Sequence, residues 1–176
     1  MAEIKSTLDL VMERTKNMTL SEDEKNEQRA DELRKKLNGL IQKYADGFLS
    51  IDHFERDLGN LDSGDTDLRD VLTNELLVKI GLEKDNDALF DLLEKCCGAE
   101  VNQITRILDD YGHAVETARQ NRITAFAKQF QKKHSISGSA VLPDLDADEE
   151  WQQELAGIQI QFGGKMNRET EALKKR

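Results

Sequence analysis

The sequence predicts an all-α fold, a helical bundle of about six to seven helices. Apolar residues recur at spacings of three and four along most of the chain, which is the period of amphipathic helices. A single proline, Pro143, occurs in 176 residues, whereas folds rich in turns use more proline. Charged residues make up 34% of the chain and aromatic residues 5%, which is typical of helices with wide solvated faces.

The N-terminal segment, residues 1–58, is predicted to begin with two helices. An apolar face over residues 3–17 indicates the first of them. The second begins at a capping box, in which the Ser21 hydroxyl accepts from the backbone N–H of Glu24 and the Glu24 carboxylate reaches back to the cap. This second helix is expected to run to about Tyr44.

A tight helical corner is predicted over residues 44–58. Gly47 follows the helix end at the position that favours left-handed geometry, and Ser50 is expected to cap the next helix. The same stretch resembles half of a calcium-binding loop. Counted from Gly47, the calcium-binding positions hold Gln42, Tyr44, Asp46 and His53, only one of which is a carboxylate. We therefore expect a corner between helices and no calcium site.

The middle segment, residues 67–134, is predicted to form an acidic helical core and one long helix. Short helices are expected over residues 67–80 and 86–97, each closed by a glycine. A single helix is expected over about 100–133. Gly112 lies inside it, costs about 1 kcal/mol relative to alanine and predicts either a kink or a close contact.

A linker that contains the only proline precedes the C-terminal helical segment, residues 148–176. A short strand at 158–162 competes with helix there, because Ile158, Ile160 and Phe162 alternate with glutamine between glycines. A lone strand would have no partner in an all-helical chain, so helix is favoured, broken or weakened at Gly163 and Gly164. Asn167 is a candidate cap for a terminal helix. The three segments are expected to pack as one compact unit.

The net charge of −10 is unevenly distributed along the chain. Residues 52–110 hold 16 acids and 6 bases and therefore carry −10. Residues 1–51 hold 10 acids and 9 bases, and residues 111–176 hold 9 acids and 10 bases. The middle of the chain is thus predicted to form an acidic lobe.

A basic stretch free of acids lies between Glu116 and Asp144. Its cations form the candidate interaction surface: Arg119, Arg122, Lys128, Lys132 and Lys133. Several cations on one surface are what phosphate recognition needs, so a nucleic acid is one candidate partner. The alternative is internal: this helix packs its charges against the acidic lobe at 52–110. The acidic net charge favours the internal alternative.

His113 is a candidate centre for a metal or enzyme site. Asp110 lies three residues before it, as in the carboxylate–histidine elements of di-iron bundles, and Asp109 and Glu116 are close by. Such bundles need a second copy of the element, and the other two histidines, His53 and His134, lack it. We expect no metal ligands at His113.

The adjacent cysteines, Cys96 and Cys97, are predicted to be reduced thiols in a cytosolic protein. They lie at the C-terminal end of a helix, where the dipole disfavours a thiolate. The sequence contains no phosphate-binding loop, dinucleotide fingerprint or hydrolase elbow. No catalytic residue and no cofactor are therefore predicted.

The N-terminal residues carry a resemblance to a known family. Met1-Ala-Glu-Ile-Lys-Ser-Thr-Leu-Asp-Leu-Val-Met-Glu-Arg-Thr15, followed by Leu20-Ser-Glu-Asp-Glu-Lys25, resembles the start of an uncharacterised family of small bacterial all-helical proteins. The resemblance implies a bacterial cytoplasmic protein and implies no function or site residues.

Three hypotheses for function follow from these patterns. The first is a non-catalytic helical interaction or adaptor protein that self-associates or binds a protein partner, because long amphipathic helices bury surplus apolar faces against other chains. The second is a nucleic-acid or ribosome-associated factor that uses the basic stretch at 119–133. The third is a metal-binding protein or enzyme centred on His113. With neither a signal peptide nor a membrane-spanning apolar run, a cytoplasmic protein without membrane attachment is expected.

Overall fold

A computed structural model describes residues 21–61, 67–134 and 144–175. Within these ranges the chain forms six helices and no strand, which confirms the predicted all-α fold. The helices are α1 (Glu22–Ala45), α2 (Ile51–Gly59), α3 (Leu68–Lys79), α4 (Asp87–Cys97), α5 (Asn102–His134) and α6 (Glu149–Leu173). The helix predicted over residues 3–17 lies outside the described residues.

Contacts group the chain into two compact units, one up to Asp67 and one from Leu68 onward. In the first unit α1 packs against α2. In the second, α3 packs against α4 and α5 packs against α6. The segments predicted as 67–134 and 148–176 thus belong almost entirely to the same unit.

The first unit begins with the predicted capping box. The Ser21 backbone N–H donates to the Glu24 carboxylate at 2.7 Å, and the Glu24 N–H donates to the Ser21 hydroxyl at 3.1 Å. The buried side chains on the inner face of α1 are Leu33, Leu37 and Ile41. Phe54 of α2 is fully buried, and its ring meets that of Tyr44 edge to face at 5.8 Å. These side chains therefore form the core of this unit.

The corner between α1 and α2 matches the prediction in its backbone. Gly47 has a φ of 74°, in the left-handed region that favours glycine. Ser50 is the N-cap residue of α2, but its side chain makes no capping hydrogen bond. Its hydroxyl instead lies 2.6 Å from the Nδ1 atom of His53. The predicted side-chain cap is wrong because the imidazole three residues on competes for the hydroxyl.

The possible strand at residues 158–162 is wrong, and so is the expected break at Gly163 and Gly164, since α6 runs unbroken through both. Helical geometry turns Phe162 inward, where it is 6% exposed and meets the Tyr111 ring at 5.8 Å. Ile160 points outward and is 77% exposed. Helix wins because it satisfies the backbone internally, whereas no strand lies alongside in the described chain. The helix also passes Asn167, so that residue does not cap a new one.

The long helix α5 extends for 33 residues and matches the helix predicted over about 100–133. Gly112 lies in its interior, and a Cβ atom added there would meet no atom within 4 Å. The predicted close contact at Gly112 is therefore absent. Despite such lengths, the helices in the described ranges all lack the apolar character that crossing a bilayer requires.

The loop between α3 and α4 is closed by one buried amide. Asn86 is 5% exposed. Its Oδ1 atom accepts from the Gly81 N–H at 3.1 Å, and its Nδ2 group donates to the carbonyls of Gly81 at 2.8 Å and Lys84 at 2.9 Å. This side chain therefore replaces the backbone pairing that the loop itself cannot make.

Replacing this amide tests its structural role. We expect Asn86→Ala to lower the free energy of unfolding by about 1–3 kcal/mol, because it leaves buried backbone groups without partners. Urea denaturation followed by circular dichroism measures the change. The matched control is Asn74→Ala, whose exposed side chain bonds only the Asp70 carbonyl of its own helix. Equal stability of the two variants would contradict the assignment.

Candidate interaction surface

The five cations predicted as an interaction surface have different surroundings along α5. Arg119 is 52% exposed and lies 3.7 Å from Glu116 on the same helix. Lys128 and Lys132 are exposed, and the described residues offer neither of them an ion pair. The side chain of Lys133 lies outside the described part of the chain. The remaining cation, Arg122, faces the interior of the second unit.

Arg122 binds the acid that begins α6. Its Nε and Nη2 atoms each donate to one Asp148 carboxylate oxygen at 2.7 Å, and the two side chains are only 16% and 10% exposed. Nη1 donates to Glu150 as well. The hydrogen bond from Arg122 is the main reason why the pKa of Asp148 is lowered. This basic residue therefore pairs with acids at 148–150 and not with the lobe at 52–110.

The same carboxylate caps α6. One Asp148 oxygen accepts from the backbone N–H groups of Glu150 at 3.0 Å and Trp151 at 3.3 Å. Negative charge at a helix N-terminus also suits the helix dipole. Because Arg122 holds both Asp148 oxygens, the start of α6 is attached to a defined turn of α5.

A second contact sets the rotation of α6 about its axis. Glu83, in the loop after α3, accepts from the Tyr111 hydroxyl at 2.8 Å and from Gln159 of α6 at 2.7 Å. The Tyr111 hydrogen bond, followed by that from Gln159, lowers the pKa of Glu83. Burial, followed by the contact with Glu83, raises the pKa of Tyr111. With Gln159 held here and Phe162 buried, one face of α6 must point away from α5.

This face is the candidate site, and we call it the outer face of α6. Helical spacing of three and four residues places these side chains on it: Glu149, Gln153, Gly157, Ile160, Gly163, Gly164, Asn167, Glu171 and Lys174. Lys175 extends the same row in the turn that follows the helix. At its centre, Ile160 is 77% exposed.

Glycines flank this isoleucine, although no described contact within the chain requires glycine there. A Cβ added at Gly157, Gly163 or Gly164 would meet no atom within 4 Å. Glycine inside a helix costs about 1 kcal/mol relative to alanine. No described contact within the chain requires the close approach of backbones that glycine permits. Because these glycines lack side chains, the outer face has a shallow notch beside the exposed side chain of Ile160.

A groove borders this face on the side of α3. A groove of about 210 Å³ runs between α3 and α6, with Val78 and Ile80 on one side and Gly163 and Asn167 on the other. Val78 is 74% exposed. Ile160 and Val78 are the large hydrophobic side chains most exposed in the described part of the second unit.

The described residues do not support a metal site at His113. His113 lies on the exposed side of α5, and its predicted neighbours Asp109, Asp110 and Glu116 lie on the same helix. Within residues 21–61, 67–134 and 144–175 no group of three or more histidine, cysteine or carboxylate side chains is placed to hold a metal ion. Nothing in these ranges therefore links His113 to a second set of ligands.

The cysteine thiols are half-buried at the end of α4. Burial raises the pKa of Cys97, while a hydrogen bond with Thr73 and the charge of Arg69 lower it by less. From the sequence alone, the helix dipole is the expected reason why the cysteine thiols ionise poorly. In the structure its main cause is burial of the thiol.

No protein-family model matches the chain, and no curated protein or solved structure matches it either. The resemblance of residues 1–25 to a bacterial family stays a prediction. The surfaces described above are therefore the basis for assigning a function.

The outer face of α6 was missed from the sequence, although a signal was present. The alternation of Ile158, Ile160 and Phe162 with glutamine has the period of a strand. In a helix, residues 158 and 162 share a face and residue 160 falls on the opposite one. The sequence therefore places an isoleucine on the outward side of an otherwise amphipathic helix, between glycines on the same face.

The acid response of the protein tests the pairing of Arg122 with Asp148. The pKa of Asp148 lies below its ordinary value of 3.8 in the fold, so the pair stabilises the fold above that pH. This contribution is lost as pH falls through the lowered pKa. Asp148→Asn keeps a capping oxygen but removes the charge. We expect its thermal midpoint to be lower than that of the unmodified protein at pH 7 and to fall less between about pH 5 and 2.

Differential scanning fluorimetry across this pH range measures the effect. Arg122→Gln is expected to reproduce it, and combining the two substitutions should add little. Arg119→Gln is the control, since Arg119 contacts only an exposed acid one turn away. The same acid response in Asp148→Asn and the unmodified protein would refute the role of the pair.

Proposed function

We propose that this protein is a non-catalytic, cytoplasmic helical interaction protein that self-associates through the outer face of α6. The observation that carries the proposal is the 77% exposure of Ile160 beside Gly163 and Gly164. An apolar side chain next to a notch is self-complementary when a second copy approaches with its helix reversed. A two-fold axis makes both contacts at once.

The shape of the outer face supports an antiparallel pair of α6 helices. Ile160 of each copy enters the notch at Gly163 and Gly164 of the other, where the missing side chains let the two backbones approach closely. This contact gives the helix glycines a purpose that the described internal contacts lack. Val78, which is 74% exposed, lines the groove beside Gly163.

The charges along the outer face favour the same alignment. Glu149 precedes Ile160 by 11 residues, Lys174 follows Gly163 by 11 and Lys175 follows Gly164 by 11. When Ile160 opposes the glycines, Glu149 therefore opposes Lys174 and Lys175 of the second copy. Symmetry repeats the pairing at the other end. Within one chain Glu149 and Lys174 lie about 37 Å apart along the helix and cannot meet. Lys174 also contacts Glu171 of its own helix at 2.6 Å, and Lys175 extends the positive charge beyond it.

The alternative of nucleic-acid binding through residues 119–133 is less well supported. Arg122 is engaged by Asp148 and Glu150, and Arg119 lies beside Glu116. Two of the five cations are therefore next to acids of the same chain. The net charge of −10 opposes the approach of a polyanion as well.

Loss of self-association on Ile160→Glu is the first test. We expect the unmodified protein to form a dimer at about 100 µM, because one helix face buries a small interface of micromolar affinity. Ile160→Glu should be monomeric at that concentration, since it places a charge in the apolar centre. Sedimentation equilibrium measures the mass. The control is Phe48→Glu, which removes an 82% exposed phenylalanine from the first unit and should leave the dimer intact.

A charge-reversal experiment tests the antiparallel alignment. Glu149→Lys makes both ends of the pair repulsive, and so does the double change Lys174→Glu with Lys175→Glu. Each variant alone should dissociate more readily, whereas a mixture of the two should form heterodimers, because every end then joins opposite charges. A monomeric unmodified protein would refute self-association. A dimer without this rescue in the mixture would refute the α6 alignment only.

A further inference from the structure

The second half of α1 carries cations and no acid. Between Glu32 and Asp46 the chain holds Arg34, Lys35, Lys36 and Lys43. The buried residues of this half are Leu33, Leu37 and Ile41, which face α2 and the core. The lysines therefore lie toward solvent on a helix whose first turns are acidic. This basic stretch lies outside the one at 119–133.

Three of these cations border a groove between α1 and α2. The groove has a volume of about 440 Å³, with Lys35, Lys36 and Lys43 at its edge and Gly39, Leu40 and Leu61 forming an apolar floor. Asp57 and Asn60 complete its α2 side. We call it the lysine groove. The surface that lines it is mainly apolar.

The lysine ammonium groups lack ion-pair partners in the described part of the chain. Lys35, Lys36 and Lys43 are exposed, and the described ion pairs of α1 involve other residues. Lys36 and Lys43 are seven residues apart, so they lie on one side of α1 about 10 Å from each other. Two charges separated by two helical turns match anionic groups with the same repeat.

We propose that the lysine groove binds an acidic amphipathic helix of another protein. An apolar side chain of that helix would cover Leu40 and Leu61, and carboxylates seven residues apart would meet Lys36 and Lys43. This is the recognition of a helix in a groove, with apolar anchors giving affinity and charges giving orientation. A phosphate chain would leave the apolar floor uncovered, whereas the apolar face of such a helix covers it.

Gly39 provides a way to block the lysine groove without damaging the fold. It lies in the floor, and a Cβ added there would meet no atom within 4 Å. Leucine has a higher helix propensity than glycine. Gly39→Leu therefore fills the groove while the thermal midpoint of the protein stays the same or rises. The matched control is Gly112→Leu on α5, where an added Cβ is equally free of contacts.

The probe is a synthetic helical peptide of about 18 residues with a leucine stripe flanked by glutamates seven residues apart. Fluorescence anisotropy with the full chain measures its binding. We expect Lys36→Glu with Lys43→Glu to weaken binding about tenfold or more and Gly39→Leu to abolish it. The charge-matched control, Lys128→Glu with Lys132→Glu on α5, and Gly112→Leu should bind as the unmodified protein does.

Each other outcome overturns the proposal in a defined way. Absence of binding, or equal binding by Gly39→Leu, removes the lysine groove as a peptide site. Equal binding of a peptide with glutamine in place of glutamate removes the role of charge. Binding of single-stranded RNA in place of the peptide identifies a polyanion site.

The proposal does not depend on self-association through α6. Ile160→Glu should bind the peptide normally, so failure of either proposal leaves the other intact. If Lys36→Glu with Lys43→Glu instead dissociates the dimer, the occupant is the acidic region of a second copy, and the assignment to another protein is wrong.

Discussion

The paired hydrogen bonds between Arg122 and Asp148 are the constraint on which the second unit depends. They join the middle of the longest helix to the first turn of the last one. The same carboxylate caps α6, so one side chain determines both where that helix begins and where it meets α5. The chain has few aromatic side chains to fix the packing of its helices by shape. The ion pair between Arg122 and Asp148, which is largely shielded from solvent, fixes the position of α6 on α5.

This attachment has a consequence for the surface. Once Asp148 and Gln159 are held, the remaining freedom of α6 is small, and Ile160 with its neighbouring glycines is left facing outward. Internal packing alone would favour alanine over these glycines, because alanine stabilises helices. The glycines on this face lower the stability of the helix, and contact with another chain would explain why they are there.

Local features of the sequence determined where most helices begin and end. The capping box at Ser21, the glycines at 47 and 98 and the acid at 148 could be predicted because each acts through the backbone of its own few residues. The long helix α5 was likewise predictable, since its apolar repeat is continuous. Ser50 shows the limit of this reasoning, because His53 competes for its hydroxyl.

Only the tertiary structure decided which of several compatible partners each side chain uses. Arg122 had acids available in the 52–110 region, yet Asp148 lies opposite it when α5 and α6 pack antiparallel. The Ile158–Phe162 segment had the alternation of a strand, and burial of Phe162 against Tyr111 in a helix resolved it. The sequence by itself determined the helices and their charge, because those depend on neighbours along the chain. Helical spacing alone places Ile160 opposite Ile158 and Phe162. Its exposure and the groove beside α1 depend on contacts between residues far apart in sequence, which no local pattern encodes.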